Sequence, residues 1–74
     1  MDLRGSNFTS SDVRFSDFSG SKLNGAFMEK AVCFQANFSG ADLSDILMDR
    51  AVLNEANFED AVLVRGVVRA PALS

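Results

Sequence analysis

Every fifth residue of the chain is apolar. Counting from Leu3, these centres are Leu3, Phe8, Val13, Phe18, Leu23, Met28, Cys33, Phe38, Leu43, Met48, Leu53, Phe58, Leu63, Val68 and Leu73, without an interruption. Apolar residues make up 47% of the chain, so an unbroken series of this kind arises by chance about once in ten thousand. Two residues before each centre stands a small residue, from Ser6, Ser11, Ser16 and Ser21 through Ala26, Ala31, Ala36 and Ala41 to Ala51, Ala56, Ala61 and Gly66; Met1, Ile46 and Pro71 depart from the rule. The position between them is Asp or Asn at Asp2, Asn7, Asp12, Asp17, Asn37, Asp42 and Asn57. The register never slips, so nothing divides residues 1–74 into more than one domain.

A five-residue period fits neither the 3.6-residue turn of an α-helix nor the two-residue alternation of a long strand. It fits a short extended segment followed by a turn, repeated. In the extended segment the small residue and the centre face the same way, and the residue between them faces outward. The turn positions are mostly polar, and Gly5, Gly20, Gly25 and Gly40, each two after a centre, tolerate the positive φ that such corners require. Four segments with four corners close a coil of twenty residues, which makes the fold class all-β. Residues twenty apart then stack at the strand spacing of about 4.8 Å. The resulting columns are sorted by type: Leu3, Leu23, Leu43 and Leu63 in one; Phe18, Phe38 and Phe58 in another; Phe8, Met28, Met48 and Val68 in a third; Val13, Cys33, Leu53 and Leu73 in the last.

Units such as Ser6-Asn7-Phe8, Ser16-Asp17-Phe18, Ala36-Asn37-Phe38, Ala41-Asp42-Leu43 and Ala56-Asn57-Phe58 resemble the pentapeptide-repeat family over essentially the whole chain. Within it, the run from Asn7 to Arg65 most resembles the repeat domain of plant and algal thylakoid-lumen members. The resemblance implies a right-handed quadrilateral β-helix, here of just under four coils. It also implies a chloroplast thylakoid-lumen setting, although no targeting segment stands in the sequence.

Pro71 lacks the N–H needed to continue a ladder and is expected to end the helix; no comparable cap precedes Leu3. The chain therefore reads as part of a longer or processed one, with open coil ends available for end-to-end self-association.

Composition narrows the chemistry. The 74 residues contain no His, Tyr or Trp, and the net charge of −3 is spread among interspersed acids and bases. No basic stripe for phosphates emerges, so direct nucleic-acid binding is not expected. No apolar run is long enough for a membrane span. Cys33 is alone and falls among core centres, where a thiol is inert, and serines without a base are unactivated. Asp45, Asp49 and Glu29 come near one another in the stack, but Lys30 and Arg50 lie beside them, as on a solvated charged face. No catalytic residue, cofactor or metal site is assigned. Two glycosylation-like triplets, Asn7-Phe8-Thr9 and Asn37-Phe38-Ser39, read as by-products of the repeat.

The informative departures are outward positions that are apolar. Phe27, Leu47 and Val67 follow Asn7 in one outward column; Val32, Val52 and Ala72 follow Asp12 in the next, with Phe34 nearby. These are expected to join across a corner into an apolar strip, fitted to a protein partner or a capping segment of the native chain. The leading expectation is a non-enzymatic structural or protein-interaction module. The alternative is an inhibitor of a topoisomerase such as gyrase that imitates DNA, an activity known in the family. Its difficulty is a column only roughly 15–20 Å tall.

Overall fold

The computed structural model describes residues 1–66 and the backbone of Ala72–Leu73. Strand β1, Val52–Leu53, pairs in parallel with β2, Ala72–Leu73, Val52 opposite Ala72 and Leu53 opposite Leu73. Isolated parallel bridges repeat the same offset of twenty along the chain: Asp2 with Lys22, Asn7 with Phe27, Asp12 with Val32, Asp17 with Asn37, and onward to Asp42 with Val62. The fold is therefore a parallel β-solenoid with a twenty-residue coil, as the columns in the sequence require. Its principal extents are 24 × 19 × 19 Å.

The segments are short because each is closed by a turn. The amide of every described small residue from Ser6 to Gly66 donates to the carbonyl of the preceding centre, at 2.9–3.2 Å. Between coils, the amides of the centres and of the second turn residues donate to the next coil, and the amides of the outward residues donate to the previous one, at 2.6–3.1 Å. This satisfies backbone groups that an interior must not leave unpaired.

Positive φ occurs at every fifth residue from Gly5 to Arg65. The sequence points to Gly5, Gly20, Gly25 and Gly40; the backbone imposes the same conformation on Ser10, Phe15, Lys30, Gln35, Asp45, Arg50, Glu55, Asp60 and Arg65. Closure of the coil overrides the local preference for glycine, and none of these nine is β-branched, the class for which positive φ is most costly.

The core is a stack of columns. Leu23, Met28, Cys33, Phe38, Leu43, Met48 and Leu53 are fully buried, with Ala26, Ala31, Ala36, Ala41 and Ala51 beside them. The rings of Phe18, Phe38 and Phe58 stack at centroid separations of 5.2 Å, each pair 7° from parallel, and the Phe8 ring meets the edge of this ladder, 5.8 Å from Phe18 at 72°. Leu3, Phe8, Val13 and Phe58 are partly buried. Leu63 keeps the Leu column but is 42% exposed, since no described coil stacks on its far side. Val67, Val68 and Pro71 lie outside the described residues.

Candidate interaction surface

The outward position of most segments has one of two uses; Lys22 is the exception among the described residues. Where it is Asp or Asn, its side-chain oxygen accepts a hydrogen bond from the amide two residues on: Asp2 from Arg4, Asn7 from Thr9, Asp12 from Arg14, Asp17 from Ser19, Asn37 from Ser39, Asp42 from Ser44 and Asn57 from Glu59, all at 2.8–3.2 Å. These are Asx turns, and they nucleate the corner that follows. They also account for both glycosylation-like triplets: Asn7 and Asn37 hold the amides of Thr9 and Ser39.

The second use is apolar. Phe27 bridges Leu47 and Val32 bridges Val52 in parallel register. In the coil below, the same positions are Asn7 and Asp12, each closing an Asx turn. Phe27 is 40% exposed, and Leu47, Val32 and Val52 are half-buried. The corner between the two columns holds Glu29, Lys30, Asp49 and Arg50, so charge runs alongside the apolar positions. Phe34 lies at the corner on the other side of the Val32 column, half-buried, and the Phe15 ring meets it edge-on at 5.8 Å and 84°. Val67, assigned to this surface from the repeat, lies outside the described residues.

Phe15 escapes sequence reasoning. It is 66% exposed at φ 61° in a turn slot that is otherwise Gly or polar, and that mismatch is the signal that could have found it. Val62 and Val64 are likewise exposed, 46% and 54%.

Six charged side chains form three ion pairs among the described residues. Arg4 grips Asp2 through two hydrogen bonds of 2.9 and 2.7 Å, and Arg14 grips Asp12 similarly. Arg65 reaches Asp45 one coil away at 2.8 Å. The guanidinium and amide of Arg4 hold the Asp2 carboxyl down at about 2. Asp12, Asp17, Asp42 and Asp45 are lowered for the same kind of reason, by Arg14, Ser19, Asn24 with Ser44, and Arg65 respectively. Asp45, read beside Asp49 and Glu29 as a charged face, thus belongs to an ion pair; among the described residues no group of three metal-ligating side chains forms. Burial pushes the Cys33 thiol up to about 11. No pocket opens among the described residues, and no helix long and apolar enough to cross a membrane occurs among them.

A parallel solenoid filled by its own side chains, its segments repeating every five residues, is a repeat protein in class. The chain belongs to the pentapeptide-repeat family: the family profile for pentapeptide repeats matches it in eight copies, over residues 1–25 and 31–65. Among solved structures it is similar to a pentapeptide repeat protein, Rfr23, from the cyanobacterium Cyanothece 51142, with 24% identity and a TM-score of 0.88 over 90% of this chain. It is also similar, at 22% identity and a TM-score of 0.48 over 88% of the chain, to HetL, a pentapeptide repeat protein involved in heterocyst differentiation regulation in Nostoc. A third similar structure is a pentapeptide repeat protein from the Arabidopsis thaliana thylakoid lumen, with 21% identity and a TM-score of 0.47 over 81% of the chain. The chain spans 46%, 37% and 59% of these three proteins. No curated protein sequence matches it.

Proposed function

We propose that the chain is a non-enzymatic structural and protein-interaction module that presents Phe27, Leu47, Val32 and Val52, with Phe34 beside them, to a protein partner. Its frame in this reading is a right-handed quadrilateral column of just under four coils. Four turns in every twenty residues support the four-sided form. The observation that carries the reading is the parallel pairing of Phe27 with Leu47 and of Val32 with Val52, at outward positions where the repeat most often places a turn-closing Asp or Asn. The interior is filled by fully buried side chains, which favours a binding surface over a substrate cavity.

The ion pairs favour this module over an imitation of DNA. Three of the ten acidic side chains, Asp2, Asp12 and Asp45, are each neutralised by an arginine, which thins the run of free negative charge that a phosphate mimic needs. A thylakoid-lumen setting is part of the proposal and rests on the resemblance of the run from Asn7 to Arg65.

The test is a double substitution, Phe27→Ser with Leu47→Ser, beside a control, Asp17→Ser, in a column that carries no apolar outward residue. All three chains should give the same far-ultraviolet spectrum. A partner retained by the wild type and the control should be lost by the double variant; equal retention by all three rules out this surface.

A further inference from the structure

Asn24 precedes Gly25, the one place in the chain where glycine follows asparagine; Asn7, Asn37 and Asn57 precede phenylalanine and Asn54 precedes Glu55. A bulky successor hinders attack on the asparagine side chain by the next backbone nitrogen, and glycine removes that hindrance. We propose that Asn24 is a spontaneous modification site, open to deamidation through the Gly25 amide, and that the folded solenoid holds it closed through a coil-to-coil hydrogen bond.

The reaction balances with water alone. The Gly25 nitrogen, having lost its proton to solvent base, attacks Asn24 Cγ. An N–Cγ bond forms, the Cγ–Nδ2 bond breaks and ammonia leaves, which closes a cyclic imide. Water then opens either carbonyl of the imide. Opening at the side-chain carbonyl gives aspartate; opening at the main-chain carbonyl gives isoaspartate, with one extra methylene in the backbone.

Three features of the fold oppose the first step. The Gly25 N–H donates to the Ser44 carbonyl of the next coil at 3.1 Å, and the Asn24 carbonyl accepts from Gly5 of the previous coil at 3.0 Å. The nucleophile is thus tied by its proton, and the residue it must attack is tied from the other side. The Asp42 carboxyl is also held down by the neighbouring Asn24 side chain, so a negative charge lies close to the amide that must react. Reaction therefore requires local opening, and its rate falls with the opening equilibrium.

The fold also sets the consequence. The turn joins Leu23 to Ala26, both fully buried, and closes through the Ala26 amide on the Leu23 carbonyl at 3.0 Å. An added backbone methylene inside this turn displaces one of those buried residues from a column that admits no slip. Aspartate leaves the backbone length unchanged.

The experiment incubates the whole chain at neutral pH and 37 °C, folded in buffer and unfolded in urea, and follows Asn24 by peptide mapping with isoaspartate-resolving chromatography. Both products should form at Asn24 in urea, at least about tenfold faster than in the folded chain. Leu43→Ala, which loosens the coil that supplies Ser44, should deamidate faster than wild type in buffer, approaching the urea rate if it unfolds. Isolated isoaspartate chains should melt below Asn24→Asp. Equal rates in buffer and urea, no product at Asn24 in urea, an unchanged rate in Leu43→Ala, or coincident melting of the two product forms would each overturn the proposal.

Discussion

A Cβ added to Gly66 would stand 3.4 Å from Ile46 Cγ2 and 3.3 Å from the Leu43 carbonyl oxygen. Ile46 and Gly66 occupy the same inward slot of successive coils, above Ser6 and Ala26. Ile46 is fully buried, so the bulk it adds to a slot meant for small residues is accommodated where the next coil has no side chain. Ile46→Ala should lower stability by about 2–5 kcal/mol, measured by urea unfolding. Gly66→Ala should destabilise the wild type but cost less in the Ile46→Ala background. A double-mutant cycle should give a coupling of about 0.5–3 kcal/mol, and strict additivity would show that the two slots are independent.

Phe27 stands where the repeat places an Asx turn, above Asn7, whose side chain holds the Thr9 amide. Phe27→Asn supplies that acceptor to the Glu29 amide and removes an aromatic ring that is 40% exposed. Thermal unfolding should show the variant melting at or above the wild-type temperature. A clear loss of stability would mean that Phe27 is a structural residue, and the proposed surface would lose its most exposed member.

The columns were legible in the sequence because a coil of twenty residues, repeated without insertion, leaves no freedom of register. Leu23 must stack on Leu43, and Phe18 on Phe38, whatever their neighbours do. Ile46 was visible as a departure, but its compensation was not: Gly66 looks like any other small residue until the two are placed one above the other. Phe15 was illegible for a related reason. The periodic pattern assigns its slot to solvent and turn, and only the structure shows its ring leaning on Phe34 from the coil above. The candidate surface was legible as two outward columns. The charged residues Glu29, Lys30, Asp49 and Arg50 were legible too, and so was Phe34 beside the valine column; what the structure adds is the edge-on contact of Phe34 with Phe15.

Gln35 adopts φ 55° in a corner where four other corners use glycine. An L-residue pays roughly 1–2 kcal/mol in this region relative to glycine, whereas glycine loses about 0.5–1 kcal/mol through the entropy of the unfolded chain. Gln35→Gly should therefore be neutral to stabilising, by up to about 1 kcal/mol. Gln35→Val should be destabilising, because a β-branched side chain is least tolerant of positive φ. Denaturant midpoints of the two variants in opposite order would show that the corner relaxes to negative φ in solution.

Acid stability follows from the aspartates. The Asp2 carboxyl, held by Arg4, titrates at about 2 in the folded chain against an ordinary 3.8, and Asp12, Asp17, Asp42 and Asp45 are shifted in the same direction. A folded-state value below the unfolded one stabilises the fold above the unfolded value, and that contribution is lost as pH falls through the folded one. For Asp2 the loss runs from about pH 4 down to about pH 2. Stability measured by urea unfolding should be flat with respect to these groups at neutral pH and should decline across the acid window. In Arg4→Gln, carbon-detected NMR titration should find the Asp2 carboxyl moved upward toward its ordinary value, but not fully restored while the residue 4 amide still donates to it. An unmoved Asp2 titration would show that the ion pair does not form in solution.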